Sequence, residues 1–315
     1  MVKRAKVVVL GGGTGLSVLL RGLKTFPVDI SAIVTVADDG GSSGRLREEL
    51  NIPPPGDVRN VLVALSEVEP LVEELFQHRF ELGKGLIGHS LGNLLLAGMT
   101  SITGDFAQGV QEISRVLNVK GKVIPASNKH ITLHAEHEDG TVTSGESKIP
   151  LTGKKIKRVF LEPKEPEAMY DAVYAIESAD LVVLGPGSLY TSIMPNVLVP
   201  GITDAIKRST ATKVYICNVM TQPGETDNYA VSDHVAAIND HVGTNIVDAV
   251  LLNSQQIPFS YAQRYKEDGA IGVEVDRDVL QAMNVRIIED ELLSFKNELV
   301  RHDAIKLSQR LVSLL

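Results

Sequence analysis

The chain has 315 residues but no Trp, a single Cys and only 4% aromatic residues. One cysteine, Cys217, excludes an intramolecular disulfide and indicates a reducing compartment. No apolar stretch reaches about 18 residues and no signal-peptide-like segment is visible, so we expect a cytoplasmic protein without a membrane span. The chain has few aromatic side chains from which to build a broad binding site for a flavin-like ring, whereas one Tyr is enough to stack on a nucleotide base.

Acidic residues outnumber basic ones, with 39 Asp and Glu against 31 Lys and Arg and a net charge of −8. This balance argues against a nucleic-acid or anionic-membrane partner. We therefore expect a small anionic ligand held in a local pocket. The sequence shows no internal repeat, coiled-coil heptad or low-complexity tract.

Apolar runs near 6–10, 29–36, 181–185, 213–218 and 247–252 predict strands, and helix-like stretches separate them. This alternation is typical of an α/β fold with a doubly wound, mostly parallel sheet, here a single domain over 1–315. Residues 122–162 differ, because alternating polarity around Asp139 and Gly140 predicts an inserted β-hairpin appendage. His130, His134 and His137 in this segment lack Cys partners, and we expect surface positions for them rather than metal ligation.

A glycine-rich segment directly after the first apolar run leads into a helix whose apolar face recurs at helical spacing. Its residues are Gly11, Gly12, Gly13, Thr14 and Gly15. Without side chains in the way, backbone N–H groups at a helix start can approach a phosphate or pyrophosphate. The segment is no Walker A motif, and Leu16 takes the place of the third glycine of G-x-G-x-x-G. A tight turn without a ligand is the alternative.

The second apolar run ends at Asp38 and Asp39, followed by Ser42 and Ser43 in a glycine-rich loop. In a dinucleotide site, an acid at this place accepts a hydrogen bond from a ribose hydroxyl. Two carboxylates beside phosphates can instead hold Mg²⁺, which prefers oxygen ligands. A turn or helix-capping role is the third interpretation. The hydroxyls and free amides of the loop add further contacts for an anion.

Two helix starts also carry chemistry. Asp57 follows three prolines and is predicted to cap a helix, with Asn60 in its first turn. His89 and Asn93, four residues apart, share one face at the start of another helix and can both reach a ligand there. A solvated or capping role is the alternative for His89.

Two later loops follow strand-like runs at positions where parallel sheets hold their ligands. Gly187, Ser188 and Asn218 are the candidate binding residues in them. Tyr190 and Tyr265 are the candidates for stacking on a base. No nucleophile is evident, because Cys217 falls within a predicted strand and the loop serines have no histidine partner nearby in sequence.

Five ordered motifs carry a family resemblance over the whole chain. They are GGGTGLS at 11–17, TVADDGGSSGRLR at 35–47, PGDVRN at 55–60, GHSLGN at 88–93 and GPGSLYTS at 185–192. In these motifs the sequence resembles the YvcK branch of the YvcK/CofD family. The resemblance implies a Rossmann-like fold and a gluconeogenesis factor, needed for cell shape on gluconeogenic carbon sources and associated with UDP-sugars or dinucleotides. The members of the second branch of the family transfer 2-phospho-lactate to a deazaflavin precursor, so the resemblance implies this activity as the alternative.

The transferase branch carries a Ser-Asn pair after Gly-Pro, where this chain has Gly187, Ser188, Leu189 and Tyr190. This departure favours a nucleotide-binding or nucleotide-sugar-binding regulator that needs no obligatory cofactor and uses Mg²⁺ at most. A Mg²⁺-dependent phospho-group transferase is the alternative. No motif decides the base, a homo-oligomeric state or a regulatory protein partner.

Overall fold

The computed structural model describes residues 4–296 and 299–315. These residues form twelve strands, named here in chain order: β1 (Ala5–Gly11), β2 (Val28–Val34), β3 (Lys122–Pro125), β4 (Thr132–His137), β5 (Val142–Ser144), β6 (Ile156–Glu162), β7 (Leu181–Leu184), β8 (Thr212–Ile216), β9 (Ala249–Asn253), β10 (Arg286–Asp290), β11 (Leu293–Lys296) and β12 (Leu299–His302). Seven of the strands form one sheet in the order β10-β9-β8-β7-β1-β2-β3.

Every pairing in the seven-stranded sheet is parallel, and β1 lies near its centre between β2 and β7. Val7 pairs with Ile30 on one side and with Leu181 on the other. Residues 7–10 of β1 are at most 1% exposed, which explains why the strand is a continuous apolar run. The predicted doubly wound α/β fold is confirmed.

Helices cover both faces of this sheet. They are α1 (Gly13–Leu23), α2 (Gly41–Leu50), α3 (Gly56–Leu65), α4 (Pro70–Gln77), α5 (Leu91–Thr103), α6 (Phe106–Val116), α7 (Tyr170–Glu177), α8 (Met194–Val197), α9 (Pro200–Arg208), α10 (Val231–Val242), α11 (Phe259–Glu267), α12 (Arg277–Ala282) and α13 (Ala304–Val312). A 3₁₀ turn at Pro150–Thr152 and a π turn at Leu189–Ile193 complete the regular structure. Among the helices of the described ranges, none combines the length and apolarity that crossing a membrane requires.

The inserted β structure is a three-stranded antiparallel sheet in the order β5-β4-β6, which we call the appendage. It starts after β3, because residues 122–125 pair with β2 at the edge of the main sheet instead. The predicted turn at Asp139 and Gly140 joins β4 to β5. His137 is fully buried, with its Nε2 atom 2.9 Å from the Thr143 hydroxyl, so the surface position expected for it was wrong.

The sequence did not indicate the last main-sheet strand or the hairpin after it. β10 is the other edge strand, and its ends, Arg286 and Asp290, are exposed and charged. An edge strand with charged ends lacks the continuous apolar run by which central parallel strands are recognised. β11 and β12 then form a separate antiparallel pair, of which β12 contacts α1.

Candidate functional site

A cavity of about 640 Å³ opens at the carboxyl ends of the central strands. It lies where the strand order changes direction between β1 and β7, the place at which open α/β sheets hold their ligands. The loops after β1, β7 and β8 line it, together with parts of α11, β12 and Pro150 of the appendage connection. The predicted residues among its lining are Gly12, Gly13, Thr14, Gly15, Gly187, Ser188, Asn218 and Tyr265.

Close packing explains the glycines of the first loop. A Cβ at position 12 would lie 2.6 Å from both Asp57 Oδ2 and Thr35 Cγ2, and one at position 15 would lie 2.9 Å from the Pro186 carbonyl. Gly13 has φ +65°, a conformation that strains other residues. Gly11 is the last residue of β1 and lies behind the cavity, where its carbonyl accepts a hydrogen bond from Asn196 Nδ2 at 3.0 Å.

The start of α1 faces the cavity. Its N-cap residue is Gly12, which has no side chain that could cap the helix. The Gly13 N–H donates to the Asp57 carboxylate. Thr14 and Gly15 follow in the first helical turn, where N–H groups have no carbonyl partner within the helix. With the positive end of the helix dipole, they form a wall suited to an anionic oxygen.

Gln222 joins the second and third loops of the cavity. Its Nε2 atom donates to the Ser188 hydroxyl at 2.7 Å, and its Oε1 atom accepts from Asn218 Nδ2 at 3.0 Å. The two predicted binding residues are therefore held by a third residue that the sequence did not single out. This connection links the loop after β7 to the loop after β8.

The two tyrosines predicted to stack on a base occupy different environments. Tyr265 lines the cavity, and its hydroxyl accepts from the Val300 N–H at 3.2 Å. Tyr190 is 2% exposed, with its hydroxyl 2.8 Å from that of Tyr229, and its ring packs in the core. The structure therefore corrects the prediction for Tyr190, whose ring has no open face for a base.

Asp38 and Asp39 diverge at the end of the β2 loop. Asp38 Oδ1 accepts from the Gly40 N–H at 2.9 Å, and Asp39 Oδ1 accepts from the Ser147 N–H at 2.8 Å. Asp38 is therefore bonded to the residue that precedes α2, whereas Asp39 is bonded to the connection that follows β5 of the appendage. Within residues 4–296 and 299–315, no group of three His, Cys, Asp or Glu side chains is arranged to hold a metal ion.

We call four carboxyl groups the acidic rim: Glu146 and the three whose charges act most strongly on it, Asp38, Asp57 and Glu225. Burial, reinforced by the charge of Asp38, raises the pKa of Asp57 to about 7. Burial and the neighbouring rim charges raise the pKa of Glu146 to about 8. Burial also raises the pKa of Glu225 to about 7, against hydrogen bonds that favour its charged form.

We expect the rim to make the ligand-free protein less stable as pH rises from 6.5 to 8.5. A carboxyl whose pKa is raised on folding stabilises the folded state fully only below its unfolded pKa, near 4, and loses that contribution up to its folded pKa. Burial lowers the pKa values of His89, His234 and His302, so these residues make the folded state more stable as pH rises. This gain is complete above about pH 6.5, the pKa of an unperturbed histidine, and does not offset the loss at higher pH. Thermal unfolding should show a Tm lower by about 2–4 °C at pH 8.5.

Glu146→Gln should flatten this pH dependence, because it removes the rim group with the highest pKa. Glu112→Gln is the matched control, since Glu112 lies in an exposed ion pair with Arg115. An equal slope in the Glu146→Gln variant and the native protein would contradict the assignment.

The remaining predicted residues form a buried network behind the rim. Ser42 Oγ lies 3.0 Å from His89 Nδ1 and accepts from Asn93 Nδ2 at 3.0 Å. Arg59 donates to Asn93 Oδ1 at 3.1 Å and to Asn60 Oδ1 at 2.7 Å. These side chains thus bind one another, and His89 and Ser42 are at most 4% exposed.

Three details of this region differ from the sequence interpretation. Helix α3 begins at Gly56 with Pro55 as its N-cap, so Asp57 lies in the first turn and does not cap the helix. Ser43 is 4% exposed, and its hydroxyl approaches Gly56 so closely that a side chain there would collide with it. Ser42 has a histidine partner after all, at a separation of 47 residues.

Sequence reasoning missed Glu146 and Glu225 in the rim, and Arg301 and His302 in the cavity wall. Glu225 directly follows Gly224 in the loop that begins at Asn218, and this place after a predicted strand was a usable signal for its position. Arg301 lies on β12, in the hairpin that the sequence pattern did not indicate. It makes no ion pair with the described residues, and it lines the cavity.

Comparison of the sequence with known proteins identifies a matching family and several similar proteins. A family model described as "2-phospho-L-lactate transferase CofD" matches residues 7–293. The chain is 64% identical over 311 residues to a gluconeogenesis factor of Halalkalibacterium halodurans, covering 99% of this chain and 97% of that protein. It is 58% identical over 315 residues to the gluconeogenesis factor of Bacillus subtilis strain 168, covering 100% and 99% of the two chains.

A solved structure agrees with this similarity. The crystal structure of a Bacillus halodurans protein superimposes with a TM-score of 0.97 at 64% sequence identity. The superposition covers 98% of this chain and 100% of that chain. The α/β architecture described above is therefore shared with an experimentally determined relative.

Proposed function

Because the chain belongs to the CofD family, we propose that it binds a nucleotide ligand, either a UDP-sugar or a dinucleotide of the NAD(P) type. The chain is similar to gluconeogenesis factors. We propose further that it acts as a cytoplasmic regulator with a role in cell shape and in growth on gluconeogenic carbon sources. The observation that carries the proposal is the start of α1, which has a glycine as its N-cap residue and opens into a cavity of about 640 Å³.

The cavity supports one orientation of the ligand. Phosphates lie over Gly13, Thr14 and Gly15, where helix amides and the dipole favour negative charge. Arg301 on the cavity wall adds a cation for their oxygens. Tyr265 lines the same cavity and offers a ring face to a base.

Mg²⁺ enters this proposal only together with the phosphates. Asp38 and Asp39, the predicted ligands, have separate partners, and the described residues provide no complete metal cage. Mg²⁺ usually takes one or two carboxylates and completes its shell with phosphate oxygens and water. Asp38 in the acidic rim is the better placed of the two carboxylates, because Asp39 is bound to the appendage.

Regulation fits the side chains better than covalent catalysis. Burial raises the pKa of Cys217 to about 12, so this thiol stays protonated. The Ser42 and His89 pair is enclosed, and Ser42 Oγ also accepts from Asn93. The description of the family model favours the second candidate, a Mg²⁺-dependent transferase of a phospho group.

The protein should bind its nucleotide and return it chemically unchanged. We expect calorimetry to give a micromolar Kd, about −8 kcal/mol, for a UDP-sugar or NAD(P), and native mass spectrometry to detect any co-purifying nucleotide. Phosphorus NMR after incubation with UDP-sugars, GTP and Mg²⁺ should show only the starting compounds. Turnover that disappears in Asp38→Asn would instead establish the transferase.

A further inference from the structure

Helix α5 presents an apolar face to solvent. Leu91, Leu95, Gly98 and Ile102 lie on one side of this helix, and we call them the α5 stripe. Leu95 is 37% exposed and Ile102 is 79% exposed. A surface helix normally carries charged or polar residues on its solvent side, but no residue of α5 is ionisable. An exposed apolar face of this kind indicates a partner.

The spacing of the α5 stripe is that of a helix pair. Its four members follow one another at intervals of four, three and four residues, which is the a/d spacing of a coiled-coil seam. The opposite side of α5 is already occupied, since Asn93, Leu96 and Thr100 are buried. The stripe is therefore free to pack against one further helix.

Gly98 forms a notch in the middle of the α5 stripe. Apart from its own helix, none of the described residues has an atom within 4 Å of a Cβ at this position, so packing within the chain does not require glycine. Glycine inside a helix also lowers its stability relative to alanine. The distance between two packed helices depends on the side chains at their contact, and glycine allows a close approach. A second helix against the stripe explains the notch.

The α5 stripe is complementary to itself. The pair formed by residues 91 and 102 and the pair formed by residues 95 and 98 are centred on the same point of the helix. When two copies of α5 cross antiparallel with a two-fold axis at this point, Leu91 of each copy meets Ile102 of the other. Leu95 of each copy then fills the Gly98 notch of the other. Because α5 carries no charge, the two helices oppose no like charges.

Two neighbouring segments enlarge the apolar surface around the stripe. A helix of this length is about 20 Å long and about 10 Å wide, which is too little for a stable dimer by itself. α4 packs against α5, and it exposes Leu71 and Leu75. The loop that leads into α5 exposes Leu82, Leu86 and Ile87. At roughly 100 Å² for each large apolar side chain, the surface approaches the 800 Å² or so that each partner contributes to a stable interface.

We propose that the α5 stripe is the interface of a homodimer, in which two α5 helices cross antiparallel about a two-fold axis. The apolar side chains of α4 and of the loop before α5 surround this crossing. The inference goes beyond the proposed function and does not depend on it. Asn93, through which α5 joins Arg59 and Ser42, lies on the buried side of the helix. A native protein that dimerises but binds no nucleotide would contradict the proposed function and support this interface.

Sedimentation velocity measures the association directly. Native protein should be mainly dimeric above about 10 µM, which corresponds to a micromolar dissociation constant. Leu95→Lys and Leu95→Glu each place two like charges beside the two-fold axis, so each should weaken the association at least about 100-fold. Val142→Lys is the matched control, because Val142 is a 54% exposed apolar residue on β5 of the appendage, and it should dimerise like the native protein. Circular dichroism establishes that the three variants are folded.

An equimolar mixture of Leu95→Lys and Leu95→Glu distinguishes a second copy of this chain from any other partner. The lysine of one variant then faces the glutamate of the other, so the mixture should dimerise although neither variant does so alone. Three results would each overturn the inference: native protein that stays monomeric at about 100 µM, Leu95 variants that dimerise as tightly as the native protein, or a mixture that stays monomeric.

Discussion

Replacing Gly13 by valine is expected to weaken nucleotide binding at least about 100-fold while the main sheet stays folded. Gly13 has φ +65°, which costs other residues about 1–2 kcal/mol and is worse for a β-branched side chain. The new methyl groups would project toward the cavity, because the nearest atom to a Cβ at this position is Ser192 Oγ at 3.7 Å. They would occupy the place that we assign to the phosphates. Calorimetry with UDP-sugars and NAD(P) measures the loss.

Gly98→Ala is the matched control for this substitution. Gly98 lies within α5, and a Cβ there has no neighbouring atom within 4 Å. Alanine should stabilise the helix by about 0.5–1 kcal/mol and leave binding unchanged. Circular dichroism establishes that both variants are folded. Undiminished nucleotide binding in folded Gly13→Val would remove the phosphates from this loop.

Arg59→Met should lower the free energy of unfolding by about 3 kcal/mol. Arg59 is 7% exposed, and its guanidinium donates to Asn60, Ser90 and Asn93. Methionine fills similar volume but leaves these acceptors buried without their donor, at about 1–3 kcal/mol for each unsatisfied group. The substitution also removes a positive charge that lowers the pKa of Asp57, and this removal favours protonation of that rim carboxyl.

Urea unfolding of Arg59→Met and Arg115→Met separates burial from charge. Arg115 is exposed and forms an i,i+3 ion pair with Glu112, so its loss should change stability by less than about 0.5 kcal/mol. Equal effects of the two substitutions would contradict a structural role for the Arg59 network.

The sequence predicts the central strands and the first glycine loop because local patterns determine them. Val7 to Leu10 are buried on both faces of the sheet, and such strands are continuous apolar runs. β10 escapes the same reasoning because its exposed ends are charged. The predicted C-terminal ends of β2 and β8 also lie two residues beyond the observed ends, because each apolar run continues past the last residue of its strand.

The side chains of the site are predictable only in part. Glycines after a strand can be recognised from the sequence, whereas the burial of an acid such as Glu225 depends on packing between distant segments. The pairing of Ser42 with His89 joins residues 47 positions apart, and no local pattern predicts it. Tyr190 illustrates the opposite case, since it follows a loop that was predicted to bind a ligand but its hydroxyl bonds to that of Tyr229 in the interior.

The central pairing of the sheet also governs the order in which the chain can fold. β1 pairs with β7, so Val7 meets Leu181 only after more than half of the chain has been synthesised. Until then one edge of β1 has no partner, and the segment between them must be closed as a long loop. Contacts of such large sequence separation slow folding and extend the exposure of strand edges. On the ribosome, the surroundings of the glycine loop at the end of β1 therefore remain incomplete until residues 181–192 have emerged.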